Sequence, residues 1–286
     1  MMKRRTHPTF FVGCCLLVLG ICIFYIFYHK KEKNYLIKNP SQYLPAEKLN
    51  KIILKTKSKI EENPEDIFSY IENGIANYQK GREFYPVAIN QLRTSLKLGA
   101  MDIRIPFYLG IMYDELGLTD KAFSYYEKFL RNQPKDIYIR LRYGNLFFRQ
   151  NRYELASEHY EIACNFSPKN QTALLNLALS YKARGMYNEA LEIFKRAEGL
   201  RSQFSTEILI KVAETYFAKT DFANAETYYK KAVEQKADSV SALIGLAELY
   251  LKTDKKNEAR YYFQKALAVE PDNAKAKKYL STKKAG

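Results

Sequence analysis

The side chains in this 286-residue chain best suited to nucleophilic, proton-relay or metal chemistry are three histidines and four cysteines. The histidines are His7, His29 and His159; the cysteines are Cys14, Cys15, Cys22 and Cys164. Only His159 and Cys164 fall in one polar stretch. Five residues apart on a helix, they point about 140° away from each other, so they cannot form a Cys–His pair. Cys14, Cys15 and Cys22 sit in an apolar run, where they pack as small apolar groups; acylation of Cys14 or Cys15 is the one modification they offer. Cys164 has no second cysteine outside that run, so neither a disulfide framework nor metal-ligand spacing is present. No glycine-rich phosphate loop appears. No carboxylate pair suits general acid–base work. The acidic residues are scattered near lysines, as on solvated helix faces. The expectation is a non-enzyme with no catalytic residue, no cofactor, no metal and no small-molecule substrate.

Charge gives a second candidate. The net charge is +15, which on one face would suit nucleic acid. Seven basic residues and one acid precede residue 46, and five lysines without an acid follow residue 273, so the excess sits in the tails. No nucleic-acid partner is expected. One internal cluster remains: Arg140, Arg142, Arg149 and Arg152, with Arg131 and Lys135 just before. It could dock an acidic segment or phospholipid headgroups. The alternative is a solvated face paired with Glu154, Glu158 and Glu161.

The elements that hold these residues recur. A pattern of about 34 residues runs from residue 68 to 273: a bulky apolar residue, a Leu-Ala or Leu-Gly pair, an aromatic, alanine, a second aromatic, alanine and often proline. The sixth copy, 240–273, reads Leu243, Leu246-Ala247, Tyr250, Ala259, Phe263, Ala266, Pro271. The fifth, 206–239, reads Leu209, Val212-Ala213, Tyr216, Ala225, Tyr229, Ala232. Copies at 171–205, 137–170 and 103–136 follow, and 68–102 is degenerate, with an extra residue in its middle turn. Each copy should be two helices joined by a short turn. Small residues let the backbones approach, aromatics fill the seam, and Pro134, Pro168 and Pro271 end second helices.

This order of residue types resembles the tetratricopeptide repeat family, over about 206 of the 286 residues. The resemblance implies an all-α fold, an α-solenoid of stacked helix–turn–helix repeats that serves as a recognition surface. Three departures stand out: Arg140 and Pro106 occupy positions usually bulky and apolar, and Phe129 replaces an alanine. The family places ligands on the concave side, along the first helix of each copy. Here those positions hold Phe107 and Ile111; Tyr138, Leu141, Asn145 and Phe148; Leu175, Leu179 and Lys182; Ile210, Glu214 and Phe217; and Ile244, Glu248 and Leu251. An apolar residue recurs at Leu141, Leu175, Ile210 and Ile244. Either this stripe is a groove for an apolar or amphipathic segment, or superhelical winding buries much of it. One subgroup clamps a C-terminal carboxylate with basic groove residues. Leu141 and Glu207 stand where two of those would be required, so that clamp is not expected.

Residues 10–28, FFVGCCLLVLGICIFYIFY, carry no charge. As a helix they span about 28 Å, close to the hydrocarbon thickness of a bilayer. No small-residue cleavage site follows, so an uncleaved transmembrane anchor is expected. The basic tail at 1–9 is short enough to stay inside, which makes this a single-pass protein with its solenoid outside the cytoplasm. Residues 29–67 form a lysine-rich linker, helical from 45 to 62, that caps the first copy or acts as a spacer. Residues 274–286 read as a basic capping helix and tail. The function expected is a membrane-anchored scaffold or adaptor that binds partner proteins. A chaperone-like holding factor for unfolded or exported chains, and a self-associating structural protein, are the alternatives.

Overall fold

The structure, a computed structural model, describes residues 44–200 and 205–282. The expected span at 10–28 lies outside the described residues. No helix among the described residues is long and apolar enough to cross a membrane. The described chain is helical throughout and divides into two compact units, Met1–Asn132 and Gln133–Gly286.

The first unit holds α1 (Ala46–Glu62), α2 (Ile67–Lys80), a 3-10 turn (Arg82–Phe84), α3 (Tyr85–Lys97), α4 (Arg104–Glu115) and α5 (Thr119–Asn132). Helix α1 is a cover on α2 rather than a free spacer. Its Leu49 and Thr56 are buried. Asn73 on α2 donates to Thr56 Oγ1 at 2.8 Å, and Asn77 donates to Asn73 Oδ1 at 2.8 Å, so the polar seam is satisfied. Gly81, at φ +128°, and the 3-10 turn absorb the extra residue between α2 and α3.

Helix α4 begins two residues after Asp102, whose carboxylate accepts the Arg104 N–H at 2.9 Å. Pro106 falls in its first turn, where its missing N–H costs no helical bond. The Arg104 side chain is almost wholly buried, with Nη1 2.7 Å from Glu72 and Nη2 2.9 Å from Asp102. Phe129 and Phe107 are both fully buried, ring centroids 5.4 Å apart, so the bulk at the alanine position is met by an aromatic partner.

The second unit holds α6 (Ile137–Arg149), α7 (Tyr153–Phe166), α8 (Gln171–Ala183), α9 (Tyr187–Glu198), α10 (Ser205–Ala218), α11 (Phe222–Gln235), α12 (Val240–Lys252), α13 (Lys256–Val269) and α14 (Ala274–Thr282). Asp136, Asn170 and Asp221 cap α6, α8 and α11 by accepting from Ile139, Ala173 and Asn224. Ala156, Ala190, Ala225 and Ala259 have no exposed surface, as close helix approach requires. The aromatic seams close with stacked pairs, Tyr216 on Tyr228 and Tyr250 on Tyr262. At the end, Ala276 is fully buried and Tyr279 packs on Phe263 at 4.7 Å, so α14 covers the last apolar face.

A left-handed residue closes the turn within each hairpin after α2–α3: Gly117 in the first unit, then Asn151, Gly185, Thr220 and Asp254 in the second. The amide after each bonds back to a carbonyl five residues earlier, as in Arg152 to Phe147 and Lys255 to Tyr250. This satisfies the orphan carbonyls of the first helix in a Schellman arrangement. Thr220 is the costly member, since a β-branched residue resists positive φ.

Candidate functional groove

Phe107 and Ile111, in the first unit, are fully buried and present no surface. In the second unit Tyr138 and Leu251 are exposed, while Leu141, Phe148, Leu175, Leu179 and Phe217 are half-buried. Ile210 and Ile244 each keep 8% of their surface. Winding therefore covers much of the recurring apolar stripe, without sealing it. Asn145 is committed within the protein: its Oδ1 accepts from Tyr160 at 2.5 Å and from Asn176 at 3.1 Å.

The remaining predicted positions converge on two adjoining clefts. The larger, about 580 Å³, is lined by Lys182, Glu214, Phe217, Ile244 and Glu248, together with Tyr229 and Lys275. The smaller, about 440 Å³, is lined by Ile210, Lys211, Glu214, Glu207 and Lys236, and shares Ser241 and Glu214 with the first. Their walls come chiefly from α10 and α12, first helices of successive hairpins. Ile210, Phe217, Val240 and Ile244 supply apolar lining beside a ladder of opposite charges. Lys182 Nζ lies 2.8 Å from Glu214, Lys211 Nζ lies 3.2 Å from it, and Lys275 Nζ lies 2.6 Å from Glu248. Burial works to raise the Glu214 carboxyl, but the two lysines outweigh it and hold the group below its ordinary value.

Tyr229 and Lys275 were not among the positions expected in the groove. Tyr229 reads in sequence as a packing aromatic, and so it is: its ring lies where a Cβ on residue 245 would come within 2.3 Å, so only Gly245 fits there. Burial foremost, then Glu214 and Glu248, push its hydroxyl upward from the ordinary tyrosine value, so it stays protonated and available as a donor. Gly245, just ahead of Leu246-Ala247, is the sequence mark of this close approach.

The basic cluster is not one docking patch. Arg140 is buried, donates to the Pro134 carbonyl and lies 3.4 Å from His159 Nδ1. Arg142 donates to the Tyr138 hydroxyl at 2.9 Å and lies over its ring, and Arg152 lies over Phe147. Arg131, in the first unit, pairs with Glu127. Of the expected acidic partners, Glu154 pairs with Arg184 and Glu161 accepts from Tyr181. His159 is sandwiched in aromatic packing, its ring parallel to Phe147 and tilted on Tyr143. Burial pushes the Cys164 thiol up to about 11, which leaves it protonated and unreactive. Among the described residues no cluster of His, Cys, Asp and Glu could hold a metal ion.

Comparison with known proteins follows the same hairpins. A "TPR repeat" model matches residues 144–185, and "Tetratricopeptide repeat" models match 107–136, 173–204 and 216–282. The chain is similar to anaphase-promoting complex subunit 3 of Schizosaccharomyces pombe, 25% identical across 76% of this chain and 34% of that protein. It is also similar to human protein O-mannosyl-transferase TMTC2, 30% identical across 35% of this chain and 12% of that protein. The chain thus spans a third or less of these relatives' length. The C-terminal part of a TPR repeat-containing protein from Cytophaga hutchinsonii shares the fold, with a TM-score of 0.67 at 16% identity, over 86% of this chain and 97% of that one.

Proposed function

This chain carries tetratricopeptide repeats, and we propose that it is a membrane-held docking scaffold without chemistry of its own. In this reading residues 10–28 anchor the chain, the repeats lie outside the cytoplasm, and the groove on α8, α10, α12 and α14 takes a segment of a partner protein. The observation that carries the reading is the pair of adjoining clefts, lined by Phe217, Ile210 and Ile244 together with a Lys–Glu ladder. Such a surface suits a segment that alternates apolar side chains with charges of both signs. It disfavours a terminal carboxylate, because Glu207 lines the smaller cleft. A tether raises the local concentration of anything held in the same membrane, so modest groove affinity suffices. The relative named as an anaphase-promoting complex subunit is part of an assembly, which favours docking. The match to the mannosyl-transferase covers too little of that protein to carry its activity over.

A photoreactive amino acid tests this reading in native membranes. At position 217 it is expected to capture one defined protein. At Glu192, an exposed second-helix residue that lines neither cleft, it should capture none. Equal capture from both positions, or none from either, would contradict the groove.

A further inference from the structure

Helix α1 carries five exposed lysines, Lys48, Lys51, Lys55, Lys57 and Lys59. Lys48, Lys51, Lys55 and Lys59 recur at three- and four-residue intervals and so form one row along the helix. The buried residues of α1, Leu49 and Thr56, lie on a different side. Leu54 is 69% exposed and stands beside the row, three residues from Lys51 and next to Lys55. Among the described residues Lys57 faces Glu61 at 4.0 Å, whereas Lys48, Lys51 and Lys55 reach no carboxylate.

Lysine rows are common on solvated helices; the position of this one in the chain is what names its occupant. Only residues 29–45 separate the apolar run from α1, and they reach at most roughly 60 Å even when fully extended. They add Lys30, Lys31, Lys33 and Lys38 against a single acid, Glu32. A lysine at an anionic lipid surface strengthens binding roughly fivefold, and the effect needs proximity that the short tether enforces. An exposed leucine amid lysines suits the boundary between headgroups and acyl chains. We infer that α1 lies with its lysine row and Leu54 on the headgroups of an anionic bilayer and holds the repeats against the membrane. This rests on residues 10–28 being an anchor.

The chain contains no tryptophan, so Leu54→Trp places a single reporter at an exposed site. Full-length protein is reconstituted into phosphatidylcholine vesicles, with or without phosphatidylglycerol, carrying brominated acyl chains. The expected result is a blue-shifted, quenched indole only with phosphatidylglycerol. Lys48→Glu, Lys51→Glu and Lys55→Glu combined should abolish both signals. An unquenched residue 54 in protein that still floats with the vesicles would overturn the inference and leave the row to an acidic protein segment. Equal quenching without phosphatidylglycerol would overturn the role of the lysines. Protein stripped from phosphatidylcholine vesicles by an alkaline wash would instead remove the anchor itself.

Discussion

Arg104→Met is expected to destabilise the first unit by about 3–5 kcal/mol. The Arg104 side chain is 5% exposed and bridges Asp102, at the start of α4, to Glu72 on α2. Its guanidinium reaches both carboxylates at once. Burial disfavours its charge, yet the bonds to Asp102 and the field of Glu72 outweigh this and leave its pKa raised. Methionine matches the length and removes the charge that Asp102 and Glu72 both face in a poorly solvated site. Asp102 would keep its bond from the residue-104 amide. Hydrogen exchange read on α2 and α4 is the appropriate measurement, since it reports this unit and not the whole chain. Adding Glu72→Leu to Arg104→Met should restore part of the loss, because it removes one of the two buried carboxylates that faced the guanidinium, while Asp102 remains. A single-variant cost under about 1 kcal/mol would mean that water screens the triad as it does a surface pair.

The second large effect is on acid stability in the second unit. Burial first, and the neighbouring Arg140 charge second, push the His159 imidazole down to about 4 from its ordinary value near 6.5. The folded state therefore binds this proton less readily than the unfolded chain. Its contribution is complete above pH 6.5 and is lost as pH falls toward 4, by at most about 3 kcal/mol and less after solvent screening. His159→Gln keeps a neutral acceptor near Arg140 at every pH and should flatten this limb. The carboxylates held low by their partners, Glu214 and Asp221, give up their share only at lower pH, so the two windows separate. Identical acid profiles for the two proteins between pH 6.5 and 4 would show that His159 is protonated in the folded state without penalty.

The hairpins were legible because their signal is repeated and local. Alanines at 156, 190, 225 and 259 announce helix contacts that are indeed sealed, and residues 117, 151, 185, 220 and 254 close one turn after another. The groove was only partly legible. Position within a copy locates a side chain on the first helix, but not how far the next hairpin covers it. Phe107 is buried against Phe129 of its own hairpin and Phe217 lines a cleft, though both came from one positional rule. Long-range polar contacts left no periodic trace. Arg140 looked like part of a basic face, but the Pro134 carbonyl and His159, from outside its own helix, take it into the interior. The Asn73–Thr56 bond that fastens α1 to α2 likewise joins residues no repeat relates.

The groove is the centre of the functional account, and affinity measures it most directly. The segment captured at position 217 can be titrated against the full-length chain and against Phe217→Ala, with thermal melting followed in parallel. Phe217 is half-buried and lines the larger cleft, so truncation should weaken binding by about 2 kcal/mol, roughly thirtyfold, as expected of an aromatic anchor. Its melting point should fall, because Phe217 also packs on Phe222 with ring centroids 5.6 Å apart, but the protein should stay folded at the titration temperature. Unchanged affinity in a folded Phe217→Ala protein would show that the partner binds elsewhere and that the cleft is a by-product of helix winding.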